Sequence, residues 1–175
     1  MGVTSVSSDD GRDDETDLRA LYAGTYRRLV GVVGAVADNR DVAEEAVQDA
    51  FVRLIKCWDR VSRYDDPEAW VRRAAFGYLS NYRRKVRNGL AAARRQAVRP
   101  VASAGPTADA VDLAAALGRL PIAQRAVVVL QALGLSIEEI ARDLDVPVGT
   151  VKSRLSRARA ALAPLLREES DHVRP

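Results

Sequence analysis

From Val42 to Trp58 the apolar residues Val42, Ala43, Ala46, Val47, Ala50, Phe51, Leu54, Ile55 and Trp58 recur at spacings of three and four. That period belongs to the α-helix and requires a helix with one buried face, which no isolated segment can supply with a partner. Asp41 stands just before the run as an expected N-cap, and Glu44 three residues later completes a capping-box pattern. Nowhere does the chain alternate apolar and polar residues as a strand would. Amphipathic helices are therefore the only material from which a core can be assembled here.

The other periodic segments agree. Leu18, Leu21, Tyr22, Tyr26, Leu29, Val32, Val33 and Val36 mark an earlier helix that ends in the turn-like Asp38-Asn39. Asp66-Pro67-Glu68 announces a third: a cap, a proline in the first turn, and an acid at the positive end of the helix dipole. Its stripe of Trp70, Val71, Ala74, Ala75, Tyr78, Leu79 and Tyr82 carries it to about Val86. Asn88-Gly89 then breaks the pattern, and Pro100, Gly105 and Pro106 lie among small and polar residues, the composition of a linker. Leu113, Leu117 and Leu120 begin a second helical unit, interrupted at Pro121; Ile122 to about Leu133 follows and stops at Gly134. The expected plan is all-α: an acidic disordered tail (1–16), a helical bundle (17–88), a flexible linker (89–108), a second small helical domain (109–168) and a short tail (169–175).

The sharpest local signal is Leu135 to Leu155. Ser136 and Glu139 form a capping box, and Ile140, Ala141 and Leu144 supply a buried face. Asp145-Val146 makes a tight connection, Pro147 starts the next helix, and Val148, Val151 and Leu155 turn inward. Gly149, Thr150, Lys152, Ser153, Ser156 and Arg157 are left facing outward. This is a helix-turn-helix, whose second helix can enter the major groove and present such side chains to guanine edges and phosphates.

The formal net charge of +3 hides a strong asymmetry. Residues 1–17 carry six acids against Arg12; residues 60–99 carry eleven Arg or Lys against Asp65, Asp66 and Glu68. Residues 147–162 carry Lys152, Arg154, Arg157 and Arg159 and no acid. Two basic patches point to a polyanion touched twice. In the first patch Trp70, Phe76, Tyr78 and Tyr82 accompany Arg72, Arg73, Arg83, Arg84, Lys85 and Arg87, a combination suited to single-stranded or melting nucleic acid. Trp70 and Tyr78 lie on the apolar stripe and read as core. For Phe76 and Tyr82, core and base contact stay open. The acidic tail reads as solubilising, with screening of a basic patch as the other reading.

Composition excludes several classes. One cysteine in 175 residues rules out an internal disulfide, and one cysteine with one histidine leaves no soft-ligand set for a metal. Cys57 beside Trp58 reads as a small core residue, and His172 lies in a polar tail far from any nucleophile pattern. Without a phosphate-cradling glycine loop, no cofactor, catalytic residue or enzymatic activity is expected. No apolar run reaches the ~20 residues of a membrane span. An acidic start is the reverse of a signal peptide, so a cytoplasmic location without membrane insertion is expected.

Three motifs in order carry a family resemblance: Glu44-Glu45-Ala46-Val47-Gln48-Asp49-Ala50-Phe51-Val52-Arg53-Leu54, then Pro67-Glu68-Ala69-Trp70-Val71-Arg72-Arg73-Ala74-Ala75, and then Leu120-Pro121 to Arg125 with Ile140-Ala141, Pro147 to Leu155 and Arg157-Ala158-Arg159. Over residues 17–166 the chain resembles the extracytoplasmic-function class of bacterial sigma factors. The resemblance implies binding to core RNA polymerase, opening of a −10 element by a sigma region 2 bundle, and reading of a −35 duplex by a sigma region 4 helix-turn-helix. By motif position it implies that Glu45, Gln48 and Asp49 touch the polymerase clamp helices. It places Asn81, Tyr82, Arg83, Arg84, Lys85 and Arg87 on −10 DNA, and Gly149, Thr150, Lys152, Ser153, Arg154 and Arg157 on −35 DNA, with Arg154 and Arg159 on phosphates or in packing. An anti-sigma partner is also implied. Phe76-Gly77-Tyr78 stands where the family commonly has a polar base-capturing residue, so the resemblance does not fix the captured base.

Two other readings of the residues remain at this point. A stand-alone transcription regulator would use the helix-turn-helix alone on operator half-sites. A helical adaptor would bind proteins only.

Overall fold

The computed structural model describes residues 10–37, 39–87 and 114–172, and among these there is no strand. Helix α1 spans Asp10–Ala37, α2 Arg40–Ile55, the single-turn α3 Trp58–Val61 and α4 Pro67–Arg87. After a helical stretch at 114–118 come α5 (Ile122–Ala132), α6 (Ile137–Asp143) and α7 (Val148–His172). The linker expected at 89–108 and Leu113 lie outside the described residues.

Local chemistry sets these boundaries. Asn39, with extended backbone, caps α2 by accepting the Val42 amide at 3.1 Å. Asp41 was the expected cap; it lies inside the first turn instead, where its charge faces the positive end of the dipole. Glu44 closes no capping box and pairs with Arg40 at 2.7 Å. Asp66 does cap α4, accepting from the Ala69 amide at 2.9 Å. Gly134 ends α5 at φ +86°, a left-handed conformation that glycine adopts freely. In the helix-turn-helix connection Asp145 takes φ +51°, which a short polar side chain tolerates better than a branched one.

Three expectations about extent need correction. The helix through Trp58 is broken: Lys56 and Cys57 turn out of α2, Cys57 leaves the helical region (φ −133°, ψ 22°), and Trp58 restarts as α3. Residues 10–16, expected in a disordered tail, open α1, where acids favour a helix N-terminus and Glu15 pairs with Arg19 one turn later. Residues 169–172, expected in the C-terminal tail, continue α7 past Pro164.

The core of the first unit is α1, α2 and α4, with Leu29, Val33, Val36, Val47, Leu54, Val61 and Val71 buried. Thr25 and Arg28 of α1 reach Glu68 at the start of α4 and fix their crossing. The second unit packs α5 and α6 on α7 around Val127, Leu130, Ile140, Val151 and Leu155. Its entrance is held by Arg125, 4% exposed, whose guanidinium donates to the Gly118 and Leu120 carbonyls at 2.8 and 3.2 Å. Pro121, next in line, has no amide to offer them. The two units are in contact: α1 lies against α5 and α4 against α6, and the buried apolar residues of both form one continuous cluster.

Candidate nucleic-acid interface

The outer face of α7 is open. Gly149, Lys152, Ser153 and Arg157 are exposed, Thr150 and Arg154 half-buried, and Val151, Leu155 and Ala158 hold the helix down. The Ser153 hydroxyl donates to the Thr150 carbonyl at 3.0 Å. Arg159, exposed, reaches back to Gln131 Oε1 at 3.1 Å. Beneath α7, the expected capping box of α6 is complete: the Ser136 hydroxyl accepts the Glu139 amide, and Glu139 accepts from the Ser136 amide at 2.7 Å. The Ser136 hydroxyl, donating to Glu139, holds that carboxyl below the usual carboxylate range.

At the other basic patch, Asn81, Arg83, Arg84 and Lys85 are exposed along the last turns of α4, and Tyr82 is half-buried against the core. The Arg87 side chain lies outside what the structure describes. Phe76, left open between core and base contact, is 4% exposed and belongs to the core. Arg72, grouped by sequence with the phosphate-holding cations, is also buried.

On α2 the three polar candidates line one face. Glu45 and Gln48 are exposed, and the Gln48 amide donates to the Tyr26 hydroxyl at 3.3 Å. Asp49, half-buried, pairs with Arg53 at 2.7 Å. Beside them runs a groove of about 520 Å³ between α1 and α2, floored by Phe51 and lined by Leu18, Tyr22, Val52 and Ile55. Tyr22 stacks on Tyr26 and meets Phe51 edge-on, each with ring centroids 4.9 Å apart. Tyr22, Val52 and Ile55 are 46, 51 and 61% exposed. Sequence reasoning missed this groove, because Ile55 counted as core and Val52 was assigned to no face. A second apolar pair one turn apart, Val52 and Ile55, was the available signal.

The last feature joins the two units. Arg72 Nε of α4 donates to Asp143 Oδ2 of α6 at 2.5 Å, and both side chains are at most 10% exposed. Burial pushes the Asp143 carboxyl up, and the Arg72 hydrogen bond recovers only part of that shift. Arg125 adds a longer contact across the same boundary, from its guanidinium to the Val36 carbonyl at 3.4 Å.

Comparison with known proteins gives this arrangement a family. The family model Sigma-70 region 2 matches residues 21–88, and Sigma-70, region 4 matches 110–162. The extracytoplasmic-function (ECF) RNA polymerase sigma factor SigM of Mycobacterium tuberculosis is 34% identical over 155 residues, covering 83% of this chain and 75% of SigM. Among solved structures, the sigma factor RpoE in complex with the anti-sigma factor NepR from Bartonella quintana superposes with a TM-score of 0.70 at 26% identity, covering 86% of this chain and 97% of that one. CnrH, in complex with the cytosolic domain of CnrY, gives a TM-score of 0.58 at 26% identity over 88% of this chain and 90% of its own. With both sigma-70 regions in order and a relative of that identity and coverage, the chain belongs to the extracytoplasmic-function sigma factors of RNA polymerase.

Proposed function

We propose that this sigma factor divides promoter-specific initiation among three surfaces. The exposed face of α7, with Lys152, Ser153 and Arg157 toward base edges and Arg154 toward phosphate, reads the −35 duplex. Asn81, Tyr82, Arg83, Arg84, Lys85 and Arg87 at the end of α4 engage the −10 strand as it melts. There, cations offset phosphate charge and Tyr82 offers a partly open ring to an extruded base. Glu45, Gln48 and Asp49, with the apolar groove beside them, take the polymerase clamp helices.

The observation that carries this reading is the exposure of two separate basic surfaces, one on each matched sigma region. A stand-alone regulator would need region 4 only, and an adaptor would need neither basic surface. The protein acts in the cytoplasm, where polymerase is, and catalyses no reaction of its own. Among the described residues no helix is long and apolar enough to cross a membrane. An anti-sigma factor is a further partner of this protein, supported by the similar sigma factor RpoE being solved in complex with the anti-sigma factor NepR.

Run-off transcription with purified core polymerase tests the proposal. Core plus this protein should initiate at promoters that core alone ignores, and initiation should fall when Arg84 and Lys85 are replaced together. If no promoter responds to the added protein, the proposal fails.

A further inference from the structure

Arg72 and Asp143 are 71 positions apart, on different sigma regions, yet they form an ion pair in which both side chains are buried. Charges are rarely taken fully out of water unless they are paired, and such a pair fixes the geometry of the elements that carry it. Around the pair, α4 meets α6 across a polar recess lined by Trp70, Arg73, Glu139 and Arg142, while α1 meets α5 through apolar residues and the Arg125–Val36 hydrogen bond. The second unit is thereby seated on the first in one register.

That register is incompatible with the division of labour proposed above, on which this inference rests. Elements centred 10 and 35 base pairs from the start are separated by roughly 85 Å of duplex at 3.4 Å per base pair. Region 4 cannot lie on the α1/α4 face and reach the distant element as well. The segment 88–113 is long enough to permit the separation, since 26 residues at full extension reach about 90 Å. The seated form is thus one of two states, and promoter binding requires the other.

We infer that the Arg72–Asp143 pair is an intramolecular latch that holds the free sigma factor closed, and that core polymerase engages the released form. A buried ion pair suits this task. Its attraction is largely cancelled by desolvation, so it adds little to the strength of closure while fixing its geometry. Removing one partner leaves the other charge buried and unpaired, which favours opening. Replacing both with apolar groups removes the desolvation penalty and favours closure. The apparent affinity for polymerase scales with the fraction already open.

Energy transfer between dyes at Asp59→Cys on α3 and Ala160→Cys on α7, in a Cys57→Ala background, reports closure without polymerase. The same proteins are then titrated with core polymerase. Wild type should show high transfer. Asp143→Ala and, independently, Arg72→Ala should lower it and tighten polymerase binding about fivefold or more. Arg72→Met/Asp143→Leu should keep transfer high and weaken polymerase binding. Far-UV circular dichroism confirms folding; because the two single variants alter different units, loss of fold in one leaves the other as the test. Low transfer in wild type, or unchanged transfer in the folded single variants, overturns the latch. Opening without a gain in polymerase affinity overturns its inhibitory role. Failure of the sigma reading itself shows separately, as wild type that supports no promoter-specific run-off.

Discussion

Replacing Val52 and Ile55 together by serine should cost polymerase affinity without costing the fold. The two side chains are 51 and 61% exposed, so folding has buried only about half of each and a docked partner can bury the rest. Full burial of an aliphatic side chain of this size contributes about 1.5–3 kcal/mol. The remaining exposed fraction then corresponds to roughly 1–2 kcal/mol for Ile55 and somewhat less for Val52. Together they give about 2–3 kcal/mol, and ordering costs on association favour the lower end. The expected loss is therefore on the order of 30-fold in Kd for core polymerase. Fluorescence anisotropy with labelled sigma factor measures it, and urea unfolding should show a folded protein weakened by about 1–3 kcal/mol, the contribution of the halves already buried. The loss should persist at high salt, whereas the contribution of Glu45 and Asp49 should shrink as salt screens it. A change of less than threefold would mean that polymerase leaves the groove uncovered.

Arg125→Met should destabilise the second unit by about 2–3 kcal/mol, because it strips charge-assisted bonds from the Gly118 and Leu120 carbonyls and leaves the Leu120 oxygen buried without that donor. Loss of the same size in the open, latch-free variant would place the effect inside that unit, and a midpoint shift worth under 1 kcal/mol would refute it. Arg157→Ala should weaken discrimination of a −35 duplex by ~1–3 kcal/mol, whereas Arg84→Ala should lower the salt slope of promoter binding by about 1 with little effect on sequence preference. Equal effects of both on sequence preference would contradict the division proposed. The Glu139 carboxyl sits below its ordinary pKa in the folded state, so its capping contribution is present above the unfolded pKa and lost as pH falls through the folded one. Ser136→Ala should flatten that acid-side decline in thermal stability; an unaltered pH profile would show that the box adds nothing.

Much of the fold was legible because it follows from short-range chemistry. The stripe from Val42 to Leu54 is buried as its period requires, Asp66 and Ser136 cap where a cap was needed, and Gly134 takes the left-handed turn. Errors arose where two residues could do the same job or where no punctuation marked a break. Asn39 and Asp41 are both good caps two positions apart, and only the backbone decides between them. Neither glycine nor proline announces the turn after Ile55, so the period ran on through it and concealed the groove. The exposed candidates on α7 followed directly from the stripe, since fixing Val151 and Leu155 inward fixes Lys152 and Arg157 outward.

The latch residues were illegible for a different reason, and it yields a usable rule. By sequence Arg72 reads as part of the basic patch that faces nucleic acid and Asp143 carries no role, yet both occupy apolar-period positions. Arg72 lies four residues before Phe76 and seven before Leu79, and Asp143 lies three after Ile140. A charge that interrupts a core stripe will be buried when the helix packs, so it must find a partner there. Period reveals the need but not the partner: Arg125 interrupts the stripe of α5 in the same way, and its acceptors are backbone carbonyls that no sequence pattern displays. What distinguishes Arg72 and Asp143 is that two interruptions of opposite sign occur on helices of different units, each able to satisfy the other and neither satisfied within its own unit. Pairing of that kind holds only while the units stay together. An interrupted stripe in each of two tethered domains is therefore readable as the mark of a closed state.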